Sequence, residues 1–308
     1  MDVSHRLDPA LRDLASARTD LSLDALGPTR ESLNDRRRET VRDIDLSGVD
    51  VVDDRINTVP VRVYRAGPSP APAVMYCHSG AFVLGNLDTD HRQCVEFARR
   101  ARCTVISVDY RLAPENPCPA ALDDALAVLV GVASQAILDV DASRIAVAGS
   151  SAGAALAAGL AQRAAAGSAP PIVFQLLHQP VLDDRPTPSK DEFVTTPGVD
   201  GPATQLMWRH YLAEQPATDE AVPARKRELA GVAHAFISCS ELDPLRDEAL
   251  DYALRLMSAG VATELHVFPG TCHGFDSLVP EWETSQLLFE LQGRALDQAF
   301  SRGAQTLR

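Results

Sequence analysis

Five residues, Gly149-Ser150-Ser151-Ala152-Gly153, follow the apolar run Arg144–Ala148 directly and open an alanine-rich helical stretch. A G-x-S-x-G set between strand and helix lifts its central serine above a sheet edge. There a helix N-terminus favours developing negative charge. The register selects Ser151, because a nucleophile at Ser150 would need glycines at 148 and 152, and both are alanine. The plainer reading, a serine cap with glycines that ease packing, uses the same residues.

A serine hydroxyl is inert without a base. Of eight histidines, His5 and His210 lie in segments expected to cap the site, His78 in an early loop, and His91 at a helix start. His178, His234 and His266 lie in or beside strands. His273 stands apart in Pro269–Phe275, just past the last predicted strand. Ligand-bearing loops of open α/β sheets occupy that end. The base needs an orienting carboxylate. Asp243 follows the strand ISCSE, although Asp before Pro is also a good helix cap. Ser151…Asp243…His273 is the order in which successive strand ends would deliver a triad. Glu241 and Asp247 are the fallback acids. A tetrahedral intermediate also needs N–H donors. Ala152 would supply one, and Gly80 and Ala81 in the loop His78–Phe82 the others, unless that loop is an ordinary turn.

These residues require a particular scaffold. Ala73–Cys77, Cys103–Val108, Arg144–Ala148, Ile172–Leu177, Ala235–Ser240 and Glu264–Phe268 read as short apolar strands. Predicted helices near 90–102, 119–134, 151–166, 244–259 and 282–302 alternate with them. That cycle implies an α/β fold, a mostly parallel sheet covered on both faces. DVVDDRI and VPVRVYRA alternate apolar and polar residues, which predicts two half-buried edge strands. Leu7, Leu11, Leu14 and Ala15 recur at helical spacing after an Asp8-Pro9 cap. A weaker stripe, Leu21, Leu23 and Leu26, is expected to stop at Gly27-Pro28. The proline-rich segment 183–232 interrupts the cycle, as a lid or binding element would.

Composition removes other classes. Length alone, at roughly 150 residues per domain, suggests two domains for 308 residues. A net charge of −13 disfavours nucleic acid and anionic membranes as partners. No apolar stretch approaches the ~18 residues of a membrane span, and the N-terminus shows no signal-peptide core. Six cysteines without CxxC pairing, four of them in or beside apolar runs, point to a reducing, cytoplasmic compartment. Glycine cradles for nucleotides are missing, and no metal or organic cofactor is expected.

The assembled set resembles the hormone-sensitive-lipase-like branch of α/β-hydrolase carboxylesterases. The blocks that carry this are HSGAF (78–82), DYRLAPE (109–115), GSSAG (149–153), DPLRDE (243–248) and HGF (273–275). With their strands they cover roughly residues 50–300, and their joint order is specific where each alone is not. The resemblance implies a Ser151–Asp243–His273 triad. It also implies a cap from residues 1–45 and 183–232 over a catalytic domain of 46–182 and 233–308. DYRLAPE would brace the sheet, with no catalytic role for Asp109, Arg111 or Glu115, and a homodimer through an edge strand is open.

Family members usually read HGGGF and GDSAGG, so Ser79, Ala81 and Ser150 depart from the pattern. Backbone donors survive these changes, but the side chains at 79 and 81 are expected to crowd the acyl pocket and narrow ester tolerance. The expected function is hydrolysis of small, fairly apolar esters through an acyl-enzyme. The alternatives are lactone opening, deacetylation of a specialised metabolite, an inactive pseudo-enzyme, or a non-catalytic ligand-binding member such as the plant gibberellin receptors. Those receptors lack the histidine that the intact HGF block keeps here.

Overall fold

The computed structural model describes residues 4–134 and 138–306. Its centre is an eight-stranded sheet of β1 (Asp50–Ile56), β2 (Val59–Arg65), β3 (Ala71–Cys77), β4 (Thr104–Val108), β5 (Val140–Ser150), β6 (Phe174–His178), β7 (His234–Leu242) and β8 (Thr263–Cys272). The order is β1-β2-β4-β3-β5-β6-β7-β8. β1 and β2 form the antiparallel edge foreseen from their alternation, and β2 meets β4 antiparallel. All later pairings are parallel.

Strand periodicity divides the core. Ala73, Met75 and Cys77 of β3 face a cluster shared with α3 (Ala120–Ala133), α4 (Ala152–Ala165) and α7 (Arg246–Ser258). Val74 and Tyr76 face the other side, against α2 (His91–Ala101) and α9 (Glu283–Thr306). Helices on both faces explain why the central strands are apolar throughout rather than alternating.

The N-terminal segment departs from expectation twice. Its first stripe folds as 3-10 turns, Ser4–Arg6 and Pro9–Leu14, the second capped by Asp8, whose carboxylate accepts from Ala10 N–H at 3.0 Å. Leu7 and Leu11 are still buried, with Phe193, Phe268 and Phe275 in a satellite core. The second stripe continues as α1 (Leu23–Val41) straight through Gly27-Pro28. Tertiary anchors override the breaker: Arg30 donates to the carbonyls of Val83 and Ala113 and pairs with Glu115. DYRLAPE therefore braces α1 as well as the sheet.

The 183–232 segment leaves β6 at its C-terminal end and carries α5 (Pro188–Glu192) and α6 (Gly201–Leu212). It packs on the N-terminal segment. Arg6 pairs with Glu192 at 2.6 Å, His210 Nε2 donates to Leu21 O, and Gly198 exchanges backbone hydrogen bonds with Ala17 and Thr19. A buried Lys190–Glu248 pair (2.5 Å) ties α5 to α7.

One close approach positions the turn between β5 and α4. A Cβ at Gly153 would lie 1.9 Å from the Cys77 carbonyl oxygen and 2.5 Å from that of His78, both backbone. Gly153→Ala should therefore push α4 off the end of β3 and destabilise the fold by about 3 kcal/mol, at the upper end of overpacking costs or beyond. Chemical denaturation measures this, and a change below about 0.5 kcal/mol would contradict the packing argument.

Candidate active site

Sheet register brings the sequence-predicted residues together. β5 and β6 pair as far as Ser150 and His178, and Ser151 N–H then donates to His178 O at 2.8 Å. Ser151 takes φ 56°, ψ −119°, a strained conformation for a non-glycine residue and the mark of a sharp strand-to-helix turn. β8 runs four residues beyond the predicted end at Phe268, because pairing resumes after a register shift at Leu242 and Cys272. The residues that follow that pair are Asp243 and His273.

A continuous row of hydrogen bonds results. Ser151 Oγ donates to His273 Nε2 at 3.0 Å, and His273 Nδ1 donates to Asp243 Oδ2 at 2.8 Å. An ionised carboxylate only accepts, which assigns the Nδ1–H tautomer. The other oxygen of Asp243 accepts from Leu245 N–H at 2.9 Å, so the carboxylate caps the turn into α7 and orients the imidazole at once. All three side chains are buried. Burial pulls the His273 imidazole down, yet the charge and hydrogen bond of Asp243, helped by Asp276 and Asp90, leave it above its ordinary value.

The fallback acids serve elsewhere. Glu241 accepts from Gly270 N–H and pairs with Arg6, while Asp247 accepts from Ser189 N–H and pairs with Arg246. Nor do the thiols compete, since all six cysteines are free and buried. Burial raises Cys77, Cys239 and Cys272 to about 12, which suppresses the thiolate.

The loop after β3 is held by its carbonyls. A trans peptide puts oxygen and amide hydrogen on opposite sides, so fixing one directs the other. His78 Nδ1 donates to Ser79 O at 2.7 Å, which directs Gly80 N–H. Val83 and Leu84 N–H donate to Gly80 O at 3.0 and 2.7 Å, which directs Ala81 N–H. Neither Gly80 N–H nor Ala81 N–H donates to another group among the described residues. Ala152 N–H, in the first turn of α4, has no carbonyl one turn back within the helix. Gly80, at φ 132°, is confined to glycine, because a Cβ would meet Leu84 O at 2.1 Å. Ala81 accepts φ 56°. Ser79 differs from expectation: its hydroxyl donates to Asp90 Oδ1 at 3.0 Å, a bond that holds it on the loop. His78 itself stacks on Tyr110 at 4.2 Å, and burial lowers it to about 4, which keeps it neutral.

Two supporting residues, Gln179 and His178, were assigned no role from the sequence. Gln179 accepts from Gly274 N–H at 2.6 Å and donates to Ser240 Oγ at 2.7 Å, pinning the His273 loop to β7. His178 joins Ser238 Oγ (2.8 Å) to Asp276 Oδ1 (3.0 Å) beneath it. The one available signal was their place, directly at the end of a predicted strand. Above the site, Phe82 stacks on Tyr211 at 3.9 Å and lies 5.7 Å from Trp208, while Gly198 borders the His273 carbonyl.

Comparison with known proteins shows what the chain as a whole is similar to. Residues 74–277 match the family model described as alpha/beta hydrolase fold. The chain is 40% identical over 263 residues to esterase LipI of Mycobacterium tuberculosis, covering 82% of each. It is 37% identical over 233 residues to ethyl acetate hydrolase of Pseudomonas putida, covering 71% of this chain and 72% of that one. The solved structure of esterase LipW from Mycobacterium marinum superposes with a TM-score of 0.95 at 60% identity, covering 97% and 98% of the two chains. Lactonase, deacetylase and receptor readings gain nothing from these relatives. The chain belongs to the α/β-hydrolase fold family, in its hormone-sensitive-lipase-like branch of carboxylesterases.

Proposed function

We propose that this carboxylic-ester hydrolase works through Ser151 as nucleophile, His273 as general base and acid, and Asp243 as the group that orients and stabilises the imidazolium. The observation that carries this is the unbroken Ser151–His273–Asp243 row of hydrogen bonds. Ser151 Oγ attacks the ester carbonyl as its proton passes to His273 Nε2. The carbonyl electron pair becomes an oxyanion received by Gly80, Ala81 and Ala152 N–H. Collapse expels the alcohol, which takes the proton from His273. Water then attacks the acyl-enzyme, giving its proton to His273, and the acid leaves as Ser151 is regenerated.

The substrate is a small, fairly apolar ester. Phe82, Trp208 and Tyr211 place aromatic surface between the oxyanion loop and α6, and a relative is named for ethyl acetate hydrolysis. Residues 1–45 and 183–232 act together as the cap. Six reduced, buried thiols fit a cytoplasmic location, and among the described residues no helix is long and apolar enough to cross a membrane. The outer edge of β8 is where a homodimer would form, its backbone having no further strand beside it among the described residues.

Ser151→Ala should cost at least about 10³-fold in kcat on p-nitrophenyl acetate while the circular-dichroism melt stays native-like. Residual turnover within tenfold of wild type would point to another nucleophile. The base works neutral, and its folded pKa lies above the ordinary 6.5. kcat/KM should therefore fall as pH drops through a midpoint above 6.5, and Asp243→Asn should move that midpoint down. A pH–rate profile flat to pH 5 would remove His273 from the role.

A further inference from the structure

Behind the oxyanion loop, at the turn into α2, sits a carboxylate that makes no hydrogen bond to the triad. Asp90 takes left-handed backbone geometry (φ 57°), which aims its side chain back at β3. Three donors converge on it. Ser79 N–H reaches Oδ2 at 2.7 Å, Ser79 Oγ–H reaches Oδ1 at 3.0 Å, and Tyr76 O–H reaches Oδ2 at 3.1 Å. Three donors on two oxygens suit an ionised carboxylate, which only accepts. An amide offers one accepting oxygen and would turn its NH₂ towards a donor.

The peptide between His78 and Ser79 is thus gripped at both ends. Tyr110 O–H holds its oxygen at 2.8 Å, and Asp90 holds its N–H. The next two peptides are the ones whose carbonyls are held and whose amides, Gly80 and Ala81, are left free. A rotation at Ser79 would swing both donors together, because planar peptides leave φ and ψ as the only soft joints. Arg37 of α1 supplies an opposing charge that favours the ionised Asp90, and its Nη1 is buried with no hydrogen bond among the described residues.

We propose that Asp90 is a positioning residue for the oxyanion hole, clamping Ser79 by amide and hydroxyl and so fixing the direction in which Gly80 and Ala81 donate. The serine that replaces a family glycine is the second arm of that clamp rather than an obstruction in the acyl pocket. This rests on the assignment of those amides as oxyanion donors in the proposed function.

The test compares Asp90→Asn, Ser79→Ala and Ser151→Ala on p-nitrophenyl acetate, with a trifluoromethyl ketone that forms a tetrahedral adduct as second readout. Loss of one oxyanion donor costs on the order of 10²–10³ in kcat, so a loosened pair should cost less. Asp90→Asn is expected to lower kcat roughly 10–50-fold and Ser79→Ala roughly 3–10-fold, scaled from that donor loss. KM should stay within about twofold, and ketone affinity should fall in parallel with kcat. A purely structural role would not couple the two readouts. A folded Asp90→Asn with unchanged ketone affinity overturns the proposal. If Asp90→Asn does not fold, Ser79→Ala decides: parallel losses support the clamp, and unchanged values overturn it. An active Ser151→Ala would instead overturn the nucleophile assignment itself.

Discussion

The site depends on how closely α4 begins to the end of β3. Gly153 carries no Cβ, so the helix starts against the Cys77 and His78 carbonyls. That contact puts the amide of Ala152 and the loop leaving Cys77 on one side of Ser151. Ser151, two residues before Gly153, takes a positive φ, a strain that the flanking hydrogen bonds to His178 and Val181 hold in place. The steric fit settles where the hydroxyl and two groups of donors lie before any charge is considered.

Charge then has to be managed in a crowded, acidic space. Asp243, Asp276 and Asp90 all act on His273, in a chain that already carries −13. Each is met by its own partners. Asp243 has the histidine and Leu245 N–H, Asp276 has His178, and Asp90 has Ser79 and Tyr76, with the charge of Arg37 also favouring it. Burial opposes each of these charges, and fixed donors offset that cost without reorganising. In the proposed mechanism, the same acids would favour the imidazolium formed as Ser151 gives up its proton.

The parts of the fold most legible in the sequence are those with local causes. The cycle of apolar strands and helices, the antiparallel edge and the spacing of Ser151, Asp243 and His273 follow from periodicity and turn chemistry. Sequence distance hides the rest. Gln179 acts on Gly274, 95 residues away, and His178 on Asp276, 98 residues away, so neither partner is visible beside the other. Local rules also lose where tertiary anchors are strong. Pro28 is accepted inside α1 because Arg30 binds two loop carbonyls, and Asp8-Pro9 starts a 3-10 turn packed by Leu7 and Leu11 rather than a longer helix.

The two segments above the site are also a constraint on exchange. One precedes the edge strand β1, and the other hangs between the central strands β6 and β7, yet they share Arg6–Glu192, His210–Leu21 and the backbone pairing at Gly198. Transplanting a relative's 183–232 segment alone would strip partners from residues near the chain start and leave the graft's own partners behind. A recombinant chimera intended to change ester preference must therefore move both pieces as one heritable unit, although roughly half the chain separates them. Crossovers that fall between them would break the proposed cap while leaving every residue around Ser151 intact.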